Sequence, residues 1–136
     1  MTQATEPVRG KCLCGAVAFV VDTALTSPRF CHCENCRKFA GTTPAAWAMA
    51  TRSSMHIEAN AQIGRYDSGA GIRCFCNVCG SPVWFESKAY PDIVGIPLGA
   101  IDSGAVPAPE VRLWTSSRMP WECSTTALPE FSKGPA

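Results

Sequence analysis

The sequence predicts a mainly β fold, antiparallel and rich in loops, with only short helical turns. Three observations carry that expectation. Short apolar or alternating runs recur at strand length, clusters of Gly, Pro, Ser and Asp separate them, and eleven prolines and eleven glycines are scattered through the 136 residues. No segment is long enough to supply the helical crossovers of a parallel sheet.

Taken in order, the runs rich in β-branched and aromatic residues are AVAFVV (16–21), a stretch around RFCHC (29–33), AAWAMA (45–50), MHIEA (55–59), IGRYD (63–67), IRCFC (72–76), PVWFE (82–86), IVGIPLG (93–99) and VRLWTS (111–116). Turn-forming segments such as DTALTSP and YDSGAG interrupt them. ENCRKFAG (34–41) predicts one helical turn, ended by Gly41. The length suits a single core, so residues 10–131 are expected to form one domain, with residues 1–9 and 132–136 mobile.

Twelve basic and eleven acidic residues leave a formal net charge of +1 without long charge runs, which argues against a nucleic-acid or acidic-membrane footprint. Small-molecule partners are expected instead, and the oligomeric state stays open, a homodimer included. The opening MTQATEPVRG has no apolar signal core, and the apolar stretches fall short of a membrane span, so the expectation is a soluble, cytoplasmic protein. Nine cysteines in that setting point to metal ligation rather than a disulfide framework, because their C-x-C and C-x-x-C spacings converge on one ion more readily than they form separate bridges.

Cys123 stands alone and is expected to be a buried small hydrophobe. The other eight fall into Cys12 and Cys14, then Cys31, Cys33 and Cys36, then Cys74, Cys76 and Cys79. CNVCG (76–80) has the form of a zinc knuckle, with Gly80 free to take positive φ. CLCG (12–15) supplies two more ligands if the chain kinks, since sulfurs around a zinc ion sit about 3.8 Å apart, and Gly15 is placed to allow that kink. Cys12, Cys14, Cys76 and Cys79 would then form a closed structural site. CHCENC (31–36) offers three ligands; either the fourth position is open, or Cys74 closes it, although an extended 72–76 segment makes Cys74 a natural core residue.

GKCLCGAVAF (10–19), CHCENCRKFAG (31–41), YDSGAGIRCFCNVCGSPV (66–83), SSRMPW (116–121) and LPEF (128–131) together resemble the glutathione-dependent formaldehyde-activating enzymes, whose domain is shared with centromere protein V. The resemblance covers nearly the whole chain. It implies an Mss4-like zinc-bound β fold, a structural zinc on Cys12, Cys14, Cys76 and Cys79, and a catalytic zinc on Cys31, Cys33 and Cys36. It also implies a carbon–sulfur lyase acting on a glutathione-type adduct of formaldehyde or a related aldehyde. Cys74 is not a ligand position in that family, and Arg112 stands where many relatives place a histidine.

Three thiolates leave zinc at a net charge of about −1 and make it a weak Lewis acid, better suited to a substrate thiolate than to activating water. Beside that centre His32 is the nearest titratable group, a candidate general acid or base, although an extended segment turns it away from the ion and gives it a supporting role instead. Arg37 is a second candidate for the chemistry. Lys38, Arg118 and Trp121 are candidates for binding an anionic thiol, with Phe39 and Trp47 either at the same mouth or in the core. The competing functions are a zinc-stabilised binding module with both sites closed and a thiolate redox sensor.

Overall fold

The computed structural model describes residues 6–59, 62–122 and 127–134. Two sheets form, one of four strands in the order β10-β1-β2-β5 and one of seven in the order β11-β3-β4-β9-β8-β7-β6. The first is built from β1 (Val8–Lys11), β2 (Ala18–Val21), β5 (Met55–Ala59) and β10 (Ile101–Ser103); the second from β3 (Thr26–Cys31), β4 (Ala45–Thr51), β6 (Ile63–Asp67), β7 (Gly71–Cys76), β8 (Pro82–Ser87), β9 (Ile93–Pro97) and β11 (Val111–Leu113). The single α-helix among the described residues, α1 (Glu34–Ala40), sits between β3 and β4 and ends at Gly41 in the left-handed conformation.

Every expected strand is present, with ends moved by local chemistry. AVAFVV loses Ala16 and Val17 to a turn in which Cys12 donates to the Val17 carbonyl. The RFCHC strand starts earlier, at Thr26, and stops at Cys31. VRLWTS stops at Leu113, because Trp114 takes φ 58° and ψ 41°, a left-handed pair that no strand continues through. Two strands went unanticipated, β1 and β10: VRGK and IDS carry little apolar signal and are recruited by backbone pairing with each other and with β2. Val8 and Arg9, placed ahead of the domain by the sequence, are therefore paired, and Val8 is buried.

Among the described residues all strand pairs but one are antiparallel. The exception is β11, which runs parallel to β3 with Leu113 opposite Cys31. No crossover helix is required, because the intervening strands return the chain to that edge.

The main core lies between the sheets. Val17, Phe19 and Val21 from the smaller sheet and its loop meet Val83, Trp84, Val94 and Ile96 from the larger one, and the Phe19 and Trp84 rings meet edge to face at 6.2 Å. Each such large side chain contributes about 1.5–3 kcal/mol by leaving water. A second, smaller cluster holds Cys31, Cys36, Ala45 and Trp47 on the other side of the seven-stranded sheet. These two cores place two separate groups of cysteines.

Candidate metal centres and the cavity beside one of them

The first group joins chain segments far apart in sequence. Cys12 and Cys14 lie in the turn after β1, Cys76 ends β7 and Cys79 lies in the turn that follows, and their four sulfurs all lie within 4.8 Å of one another. Cys14 Sγ is 3.7 Å from both Cys12 Sγ and Cys76 Sγ, close to the about 3.8 Å edge of a zinc–thiolate tetrahedron. Gly15 and Gly80 take φ values of 83° and 79°, and the kinks they permit aim backbone donors at sulfur: Val17 N–H donates to Cys12 Sγ and Val78 N–H to Cys76 Sγ, each at 3.3 Å. Leu13 N–H donates to Ser81 Oγ and ties the two turns together. The donor set fits a closed metal site.

The second group is local. Cys31 ends β3, Cys33 caps α1 and Cys36 lies in its first turn; their three sulfurs also lie within 4.8 Å of one another. The Cys36 N–H donates to Cys33 Sγ at 3.3 Å, so a candidate ligand also serves as the helix cap. Contacts with Cys31 and Cys36 push the Cys33 pKa down, while contacts with Cys33 and Cys36 push Cys31 up. Among the described residues no fourth Cys, His, Asp or Glu joins the cluster. Cys74 is elsewhere: it is fully buried in the main core, 3.4 Å from Glu86 Oε2, and burial pushes its thiol up to about 12. Cys74 therefore does not close this site, while Cys123 lies outside the described residues.

A cavity of about 480 Å³ opens beside these three sulfurs, walled by Trp47, Met49, Phe85 and Trp114 with the cations Arg29 and Arg73. Arg73, on β7, is buried with its guanidinium carbon 4.4 Å from the centroid of the Phe85 ring and 5.5 Å from that of Phe39, and its Nη1 lies 3.7 Å from Cys36 Sγ. Soft donors, a cation and an apolar wall thus converge on one opening.

The family model described as glutathione-dependent formaldehyde-activating enzyme matches residues 7–117. The chain belongs to the glutathione-dependent formaldehyde-activating enzyme family. A protein of Halomonas elongata, named provisionally for that same activity, is 32% identical over 124 residues, covering 84% of this chain and 78% of that protein. An uncharacterized lyase of Schizosaccharomyces pombe is 31% identical over 80 residues, 56% of this chain and 55% of its own length. The fold itself matches a crystal structure of a Rhodobacter sphaeroides protein, with a TM-score of 0.61 at 24% identity over 71% of this chain and 90% of that one.

The remaining candidate residues of this family member lie outside the cavity lining. His32 is only 1% exposed, and its Nδ1 lies 3.4 Å from each carboxylate oxygen of Glu122. Burial holds its pKa below the ordinary histidine range despite that carboxylate. Glu122 also accepts from Met119 N–H at 2.8 Å and Thr43 Oγ1 at 2.9 Å. Burial resists its charge and these donors outweigh that resistance, so its pKa is lowered. Arg37 donates to Met119 Sδ, Lys38 pairs with Glu34 on the exposed face of α1, Arg118 pairs with Glu130, and the Trp121 indole is exposed.

Sequence reasoning missed Arg73, Arg29, Trp114 and Glu122. For Arg73 alternation in IRCFC sets it opposite Cys74 on β7, but that both faces of the strand are covered emerges only in the fold. Glu122 carried no signal, since its contact with His32 spans 90 positions.

No described helix is long and apolar enough to cross a membrane.

Proposed function

We propose that this chain is a zinc-dependent carbon–sulfur lyase acting on a thiol adduct, of glutathione type, of an aldehyde or related small molecule. One observation carries the reading: the four-cysteine group is complete, whereas the three-cysteine group faces a cavity with no fourth ligand among the described residues. Family membership supports the same direction. In this reading Cys12, Cys14, Cys76 and Cys79 hold a structural ion, and Cys31, Cys33 and Cys36 hold the catalytic one. When bound there, zinc supplies a position at which a soft thiolate is stabilised as attacking or leaving group.

The chain's own residues do the rest. Met49, Phe85, Trp47 and Trp114 surround the adduct with apolar surface and exclude water, and Arg29 offers a cation to a carboxylate of the thiol. In the lyase direction the C–S bond of a hemithioacetal breaks as its hydroxyl gives its proton to solvent at the cavity mouth and becomes the carbonyl, and the sulfur leaves as thiolate; addition reverses these steps. His32, buried and outside the cavity lining, and its partner Glu122 orient the C-x-C segment rather than exchange protons with substrate. Arg37, Lys38, Arg118 and Trp121 are left to contact only the outer part of a peptide-sized thiol.

Zinc stoichiometry and thiol titration of the cobalt-substituted protein test this reading. Two ions per chain, one of them lost in Cys31→Ala with the fold intact, and a spectral change at one ion on adding glutathione are the expected results. Four sulfurs at both ions without added thiol would sink it.

A further inference from the structure

Arg73 presents an energetic puzzle. Its side chain is 4% exposed, yet among the described residues no carboxylate pairs with its guanidinium. A buried cation without an opposite charge is strongly unfavourable. Its position is nevertheless fixed: the Phe39 and Phe85 rings flank it, Nε donates to Ser68 Oγ at 3.1 Å, and Nη1 donates to Cys36 Sγ at 3.7 Å. Sulfur is therefore the anion within its reach.

We propose that Arg73 is the counter-charge of the three-cysteine centre and sets that centre's affinity for an incoming thiolate. The inference rests on the thiol-accepting reading above and adds a residue that acts on the sulfur's charge, whatever the rest of the ligand carries. Three thiolates and a dication leave about −1, which the guanidinium brings close to neutral. A thiol that gives its proton to solvent then enters as thiolate without meeting net negative charge. Without Arg73 it would enter a site already negative, inside a partly desolvated cavity where repulsion is poorly screened. The other charges at the cavity differ in kind: Arg29 is half-exposed, and Glu34 is exposed and paired with Lys38.

The test uses the full chain with cobalt(II) at both centres, titrated at fixed pH with uncharged 2-mercaptoethanol and with glutathione. In Arg73→Met both ions remain and affinity for both thiols falls at least about tenfold, with Arg73→Lys recovering most of the loss. Wild-type affinity of Arg73→Met for 2-mercaptoethanol would overturn the proposal. So would a loss confined to glutathione, which would make Arg73 a carboxylate clamp.

The unmodified chain gives a second measurement that does not depend on the variant folding. Because the counter-charge is buried, 2-mercaptoethanol affinity is expected to hold between about 0.05 and 0.5 M salt, and a several-fold fall would assign control to exposed charges instead. Failure of the unmodified chain to take up any thiol ends the lyase reading together with this one. Thiol uptake that Arg73→Met leaves unchanged ends this one alone.

Discussion

The two cysteine groups differ most in how far apart their members lie in sequence. Cys14 and Cys76 are separated by 62 positions, so the four-sulfur group exists only when both sheets have formed. Cys31, Cys33 and Cys36 lie within one short segment, which an unfolded chain can also offer to a metal. A ligand that binds the folded and unfolded chain alike adds little to folding stability. The first site is therefore expected to hold the fold together, and the second is free to exchange its ligands without unfolding the protein.

Cys76→Ala provides the harshest challenge to that contrast. A structural zinc contributes about 10–16 kcal/mol in small zinc modules, comparable to or above the about 5–15 kcal/mol stability of a whole domain. Cys76→Ala is expected to abolish cooperative unfolding, whereas Cys31→Ala loses one ion and keeps its circular dichroism. Equal damage from both would make the second group architectural.

A smaller effect is expected at Glu86 on β8, whose bonds to Arg65 on β6 span β7, the strand that ends at Cys76. It accepts two hydrogen bonds from Arg65 at 2.8 Å and one from Trp84 Nε1 at 3.0 Å. Arg65 holds the carboxyl at about 2, against an ordinary 4.5. Since the folded value is the lower one, the stabilisation is complete above the ordinary value and is lost as pH falls through the folded one. Glu86→Gln should cost about 2 kcal/mol at neutral pH, and the gap between the two proteins should narrow on acidification in denaturant titrations. A constant gap would mean that the charge is irrelevant.

At Cys33 the two duties of one sulfur separate. Cys33→Ser keeps an N-cap acceptor but removes a thiolate, and Cys33→Ala removes both, so each should lose the second ion while only the alanine variant pays about 1 kcal/mol for an uncapped α1. Metal analysis and thermal unfolding distinguish them. The mildest case is Cys74→Ala, expected to cost about 1 kcal/mol for a small cavity and to leave the zinc count unchanged by mass spectrometry under native conditions. A lost ion there would return Cys74 to the ligand set.

Much of this was legible in the sequence because it is local. MHIEA and IGRYD carry enough β-branched and aromatic character to fix β5 and β6 at the expected residues, and the cysteine spacings delimit both groups. What stayed hidden depends on distant partners. VRGK becomes a strand because β2 and β10 lie on either side of it, and Trp114 reaches the cavity because the chain turns left-handed after a parallel strand. An arginine in a strand reads as solvent-facing until the second covering layer is known, which is why Arg73 escaped notice while its neighbour Cys74 did not.

The parallel strand β11 lies at the rim of the larger sheet, and residues 129–133 zip along it and the turn that follows through backbone bonds to Arg112, Trp114, Thr115 and Ser116. One wall of the cavity beside the three-cysteine group is thus laid along the border of the larger sheet. Such a border can diverge without recutting the interior, so under the proposed function evolution would have a place to trade one adduct for another while both sulfur groups stay intact. Swapping residues 114–134 between family members should carry thiol preference with it, and unchanged preference in such chimeras would locate selectivity deeper in the scaffold.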